Sequence, residues 1–198
     1  MSQYHGVKRS MELWQRATEL IPGGAQLISR RPSRFAYGVS PVYAQSARGA
    51  RFTDVDGNEF IDWVSGIGAI ILGYADPVVD AAVIEQIRRG TMYSINHELE
   101  IELAEELVRR VPCAEMVRYA KGGGDACAIA VRIARGATGR DKILFCGYHG
   151  WHDWYLAANL DQAQLDSHLF PGIDPTGVPK ALSGTAVPFP YGDAAALG

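Results

Sequence analysis

The sequence predicts an α/β fold: a parallel or mixed sheet with flanking helices. Three observations carry that prediction. Apolar residues recur at helical spacing in several segments that carry start and stop signals at their ends. Short β-branched and aromatic runs alternate with them, bounded by glycine, proline and asparagine. From Pro112 onward the order becomes strand, glycine run, helix, strand, which is the pattern of a βαβ unit with a right-handed crossover.

Residues 10–21 read as an amphipathic helix with Leu13, Trp14, Ala17 and Leu20 on its buried side. Pro22-Gly23-Gly24 stops it, because proline cannot continue a helix and glycine adopts the left-handed cap cheaply. Residues 30–41 form a basic, turn-rich segment. Residues 42–44, 51–53 and 60–63 follow as short strands, with Asp56-Gly57-Asn58 as a hairpin turn between the last two. Asp76-Pro77 is an N-cap and first-turn proline, Val79, Val83 and Ile87 follow at four-residue spacing, and Arg88-Arg89-Gly90 closes that helix. A further helix spans residues 98–110, its stripe of Leu99, Leu103 and Leu107 expected to be buried. Its glutamates come early and its arginines late, in the sense that suits the helix dipole. The βαβ unit then places strands at residues 116–120 and 143–146 around a helix at 126–135. Another helix begins near Trp151, and residues 185–187 form the next strand. The segment 170–184 between them is a long loop rich in glycine and proline, a length that usually signals function or a covering partner. The change of character near Tyr74 divides the chain into residues 1–75, a helix and hairpin segment, and residues 76–198.

A chain of 198 residues, 47% hydrophobic and 21% charged, can build a sizeable core. Its net charge of -3 offers no general attraction for nucleic acid or anionic membrane. No apolar run reaches the roughly 20 residues that a membrane helix needs, and the first residues lack a secretory signal pattern. The cysteines, Cys113, Cys127 and Cys146, are scattered and odd in number, so a disulfide framework is not expected. These properties describe a cytoplasmic globular chain.

Chemistry concentrates in two places. In Lys121-Gly122-Gly123-Gly124-Asp125-Ala126, glycines after a strand let backbone N–H groups approach an anion, and the following helix adds its positive end. A tight strand-to-helix turn is the alternative reading. No Walker lysine and hydroxyl follow the glycines, and no acidic residue ends the next strand as a dinucleotide site requires. Asp125 would repel a phosphate and is expected to cap the helix, facing away. In Gly147-Tyr148-His149-Gly150-Trp151, just past a strand's carboxyl end, Tyr148 can stack on a flat ring and His149 can pack or donate a hydrogen bond. A buried aromatic cluster with Trp151, Trp154 and Tyr155 is the alternative. His149, His152 and Asp153 lack a third metal ligand at a recognised spacing, so no metal is expected. A phosphate cup beside a stacking face points to a phosphate joined to an aromatic ring, as in pyridoxal 5'-phosphate.

These residues resemble the class III pyridoxal-phosphate aminotransferases, most closely the branch containing glutamate-1-semialdehyde 2,1-aminomutase. The motifs that carry the resemblance include Leu20-Ile21-Pro22-Gly23-Gly24, Asp54-Val55-Asp56-Gly57-Asn58-Glu59-Phe60-Ile61-Asp62, Ile71-Leu72-Gly73 and Val111-Pro112. They continue through Glu115-Met116-Val117-Arg118-Tyr119, Ala137-Thr138-Gly139-Arg140-Asp141-Lys142-Ile143 and Tyr148-His149-Gly150. The resemblance implies a fold-type I enzyme whose complete form transfers an amino group from an amine donor to a carbonyl acceptor, normally as a homodimer. Residues 76–198 would be the first part of its large cofactor-binding domain. It implies that Gly122, Gly123 and Gly124 hold the cofactor phosphate, that Tyr148 and His149 lie against its ring, and that Arg30 meets the substrate carboxylate. For Arg30, a place in a solvated basic segment with Arg31 and Arg34 is the alternative.

The sequence also departs from the family. Ser or Thr usually stands where this chain has Gly124, and its hydroxyl would add a hydrogen bond worth about 1.5–3 kcal/mol to a charged phosphate. Asn or Ser usually stands at Gly122. Aminomutases carry a tryptophan where this chain has Ile67, which favours an aminotransferase over the mutase. The resemblance puts the Schiff-base lysine, and the aspartate that pairs with the pyridine nitrogen, beyond Gly198. None of Lys8, Lys121, Lys142 and Lys180 takes the catalytic role, so the chain reads as an N-terminal half that is inactive alone. A 1,2-aminomutase and a non-catalytic dimerising fragment are the alternative functions.

Overall fold

The computed structural model describes residues 4–160 and 174–197, so residues 170–173 of the long loop expected at 170–184 lie outside it. The chain divides into two compact units, residues 1–96 and 97–198.

In the first unit, helix α1 (Lys8–Leu20) begins at Val7, which has no side chain able to cap it. The cap comes from the hairpin turn instead. Asp56 accepts hydrogen bonds from the Arg9 and Ser10 amides at 2.6 and 2.9 Å through its two carboxylate oxygens. The same turn anchors the chain entering the helix, because Asn58 Oδ1 accepts from the His5 amide and Asn58 Nδ2 donates to the Gly6 carbonyl. Asp54 is wholly buried and is satisfied by the Asp56 and Asn58 amides and the Asn58 side chain. Such a carboxylate is tolerable in the interior only with this many donors. Gly24 ends the helical region at φ 73, packed so closely on Trp14 that a Cβ would lie 2.5 Å from its ring. Leu20, expected on the buried side of α1, is 77% exposed, since the chain turns away at Pro22 before anything covers it.

Strands β1 (Ala44–Arg48), β2 (Arg51–Asp54) and β3 (Glu59–Ile61) form an antiparallel sheet in that order. The first strand lies later than the expected 42–44. Gly49, at φ 56, makes a tight turn at Arg48-Gly49-Ala50-Arg51 and extends β1 to meet it. Phe52 opposes Phe60 across β2 and β3, with ring centroids 5.3 Å apart. Helix α2 (Pro77–Arg89) starts as expected, with Asp76 accepting from the Val78 and Val79 amides at 3.0 Å, and ends at Gly90.

In the second unit, helix α3 (Glu98–Arg110) opens on a capping box between His97 and Glu100. Its leucine stripe is not buried: Leu99 and Leu103 are about half exposed, because nothing among the described residues packs over that face. Helix α4 (Gly123–Thr138) ends at Gly139 in the left-handed conformation. Strand β4 (Ile143–Phe145) pairs in parallel with β5 (Ala186–Pro188), Leu144 opposite Val187. The strand expected at 116–120 is absent from both ladders; a β-strand exists by pairing, and Met116, at 92% exposed, has no neighbouring strand beside it among the described residues. Residues 112–146 therefore supply one strand of the expected βαβ unit, and the parallel partner of β4 comes from residues 186–188. The helix expected near Trp151 is one short turn, α5 (Asp153–Leu156), continued by a 3-10 turn at Ala157–Asn159. Phe145, Trp154, Tyr155, Ala157, Ala158, Val178 and Ala186 form the core of this unit. No helix among the described residues is long and apolar enough to cross a membrane.

Candidate functional site

The candidate site lies where α4 begins, at the carboxyl end of β4. The glycine run is not a loop ahead of the helix but its first turn. Gly122 is the N-cap residue, extended at φ -151 and ψ 162, and no side chain among the described residues caps the helix. The first helical bond runs from the Ala126 amide to the Gly122 carbonyl at 3.0 Å. The amides of Gly123, Gly124 and Asp125 precede it and point out of the helix end, where the dipole is positive. A Cβ on Gly123 would meet nothing within 4 Å, so the space beside that residue is open.

Gly124 is different. Its Cβ would lie 2.9 Å from His152 Cε1 and 3.0 Å from His152 Nδ1. Gly150, at φ 114, packs on the same side, and a Cβ there would lie 2.9 Å from the Gly124 Cα. The loop leaving β4 thus rests directly on the first turn of α4. Asp125, expected to cap the helix, does not: it sits in the first turn, and its Oδ1 accepts from His152 Nε2 at 3.0 Å. The Nδ1 atom of the same ring is buried and has no hydrogen-bond partner among the described residues.

Gly147, at φ 88, turns the chain out of β4. Tyr148 follows, 53% exposed, with its ring edge-on to Tyr155 at 5.7 Å. His149 turns inward. Its Nε2 donates to the Cys146 carbonyl at 2.7 Å, and Nδ1 faces Cys127 Sγ at 3.8 Å. Its ring lies within 6.2 Å of Phe145, Trp154 and Tyr155. Tyr155 and Trp154 are buried and Trp151 is 73% exposed. His149 therefore belongs to the aromatic cluster with Trp154 and Tyr155, and Tyr148 stands at its rim. Burial beside the Tyr148 phenol pushes the Tyr155 hydroxyl up to about 12.

Arg30 belongs to the first unit, where it ends a 3-10 turn at Ile28–Arg30 and is exposed. Its charge acts on Tyr74, whose hydroxyl donates to Asp62 at 2.7 Å; that bond raises the tyrosine and lowers the carboxyl. Ile67 sits in a left-handed stretch at φ 58, a strained backbone for a β-branched residue, and its side chain is 74% exposed. Among the described residues no group of three or more His, Cys, Asp or Glu could hold a metal ion. Neither the His152–Asp125 pair nor the Gly150–Gly124 contact was legible beforehand, because they join positions about 27 and 26 residues apart through tertiary packing.

Residues 35–185 match the family model described as aminotransferase class-III. The chain belongs to that family. Among its class-III relatives, the 3-aminobutyryl-CoA aminotransferase of Cloacimonas acidaminovorans (strain Evry) is 44% identical over 155 residues, 78% of this chain and 37% of that protein. The glutamate-1-semialdehyde 2,1-aminomutase of Methanothermobacter thermautotrophicus (strain Delta H) is 43% identical over 192 residues, 95% of this chain and 43% of that protein. Among solved structures, an omega-transaminase from Sphaerobacter thermophilus superposes with a TM-score of 0.77 at 33% identity, over 95% of this chain and 43% of its own. A transaminase with pyridoxal phosphate bound gives 0.80 at 32% identity, over 97% of this chain and 43% of its own. The fold is that of the fold-type I pyridoxal-phosphate-dependent transaminases, present in part. The chain spans less than half the length of these class-III relatives.

Proposed function

We propose that this chain forms the phosphate cup and ring-facing wall of a pyridoxal-phosphate site for amino-group transfer. The observation that carries the reading is the start of α4, three glycines with no side-chain cap among the described residues and free space beside Gly123, held against the loop that presents Tyr148. These residues fit a phosphate joined to a flat ring. The amides of Gly123 and Gly124 offer donors at the positive helix end, with Gly122 leaving room beside them. The half-exposed Tyr148 offers a ring face, and His149, locked by its bond to the Cys146 carbonyl, fixes the backbone from which Tyr148 projects. When bound, the cofactor supplies an electron sink through which an amino group passes from an amine donor to a carbonyl acceptor. In this reading Arg30 binds the substrate carboxylate through its planar fork. The complete protein acts as a homodimer, residues 1–75 and 76–198 divide it as a leading segment and a cofactor-binding domain, and it works in the cytoplasm.

The test exploits the open space at Gly123. An aspartate there fits sterically and suits a helix N-terminus, but its carboxylate repels a phosphate. Gly123→Asp should lower the preference of the chain for pyridoxal phosphate over pyridoxal by about tenfold or more, the scale of one charged hydrogen bond. An unchanged preference, measured by titration calorimetry, would refute the phosphate cup. A second reading, 1,2-aminomutase activity, is favoured by the 95% coverage of this chain by the Methanothermobacter mutase. Ile67, where the mutases carry tryptophan, weighs against it. Assaying the complete protein on glutamate 1-semialdehyde, and separately on an amine with a carbonyl acceptor, separates the two.

A further inference from the structure

The glycine at position 124 removes the hydroxyl that the resemblance leads one to expect at the phosphate, yet the space is not empty. A Cβ at that position would overlap the His152 ring, 2.9 Å from Cε1 and 3.0 Å from Nδ1. Side chains at the start of a helix lean toward its N-terminus, so whatever fills the place of a residue-124 side chain lies beside the helix's first amides. The occupant is the imidazole edge bearing Nδ1, an atom buried and without a partner among the described residues. The ring itself is held: Nε2 donates to Asp125 Oδ1 at 3.0 Å, the Trp151 ring lies 5.0 Å away, and the His152 side chain is only 25% exposed. A carboxylate accepts but does not donate, so the Nε2 proton is committed to Asp125 and Nδ1 is the atom left to serve a ligand.

We propose that His152 supplies, from Nδ1, the phosphate hydrogen bond that Gly124 cannot. The inference rests on the phosphate-cup reading of α4. With a carboxylate on one side and a phosphate on the other, the ring takes a proton from solvent at Nδ1 and donates from both nitrogens. Asp125, instead of opposing the anion, holds the imidazole in the orientation that serves it. His152 acts as a binding residue toward the cofactor, and Asp125 as a positioning residue.

The test compares binding of deoxypyridoxine phosphate, which lacks the reactive aldehyde, with binding of unphosphorylated deoxypyridoxine, using the whole chain. The wild type should prefer the phosphorylated ligand. His152→Ala should reduce that preference by about tenfold or more. His152→Asn, which keeps an amide donor close to the position of Nδ1, should retain most of it. In Gly124→Ser/His152→Ala, the hydroxyl returns to the space the ring has left and should restore it. A purely structural role for the ring would weaken both ligands alike. If His152→Ala folds, by circular dichroism, and keeps the wild-type preference, the proposal is wrong while the cup stands. If the wild type shows no preference, the cup itself is refuted and this inference with it. Nitrogen NMR of the wild type decides the matter should the alanine variant not fold. His152 Nδ1 should move from unprotonated to protonated on adding deoxypyridoxine phosphate, and an unmoved signal overturns the assignment.

Discussion

At the scale of single residues, the second unit is organised around aromatic groups whose polar atoms are not all satisfied. Tyr155 is fully buried, its hydroxyl has no hydrogen-bond partner among the described residues, and burial beside Tyr148 raises it to about 12. A tyrosine raised above its unfolded value of about 10 adds stability below that value and loses it as pH climbs through the folded one. The wild type should therefore lose stability on going from about pH 10 to about pH 12. Tyr155→Phe, which keeps the ring and deletes an unpaired buried hydroxyl, should be as stable or more stable at neutral pH. It should also show a shallower alkaline loss. Urea unfolding at both pH values checks this, and equal alkaline losses in the two proteins would contradict it. At this scale the sequence disclosed the chemistry of the site but not its neighbours. The glycine run and Tyr148 stand out by composition, whereas His152 looked like part of an incomplete metal motif. Its pairing with Asp125 depends on where the loop after β4 comes to rest, and nothing local encodes that.

At the scale of elements, helices with strong end signals were the most legible. Asp76-Pro77 marks the start of α2, and the structure adds the two amides that the aspartate accepts. Asp76→Ala should cost about 1 kcal/mol of stability, and in hydrogen exchange the Val78 and Val79 amides should be deprotected before the rest of the helix. Equal protection in the variant would argue against the cap. Elements defined by pairing were less legible. β2 and β5 fall close to their expected places, while β1 lies later because Gly49 sets the turn. Residues 116–120 have a strand-like composition and no partner among the described residues. The leucine stripe of α3 has the period of a buried face, yet Leu99 and Leu103 are about half exposed. Periodicity reports that a face is suited to burial; it does not report what covers it.

At the scale of the whole molecule, that distinction becomes a property of the chain. Val78, Val83, Ile87, Leu99, Leu103 and Met116 all expose more than two-fifths of their surface. Apolar area on this scale favours dye binding and poor solubility. Leu99→Lys/Leu103→Lys should raise the soluble yield and lower binding of a hydrophobic fluorescent dye, with helix content by circular dichroism unchanged. Unaltered dye binding would place the accessible surface elsewhere. The molecule also carries an order of assembly in the link between Asp56 and α1. The Arg9 and Ser10 amides at the start of that helix are satisfied by a side chain 47 and 46 positions away. The first turn of α1 therefore cannot reach its final stability by local propensity. It must await closure of a loop of nearly fifty residues, an entropic cost that grows with the logarithm of loop length. The β2–β3 turn, which closes over a few residues, has no such delay. The first turn of α1 should therefore gain protection from hydrogen exchange during refolding later than the β2–β3 hairpin does.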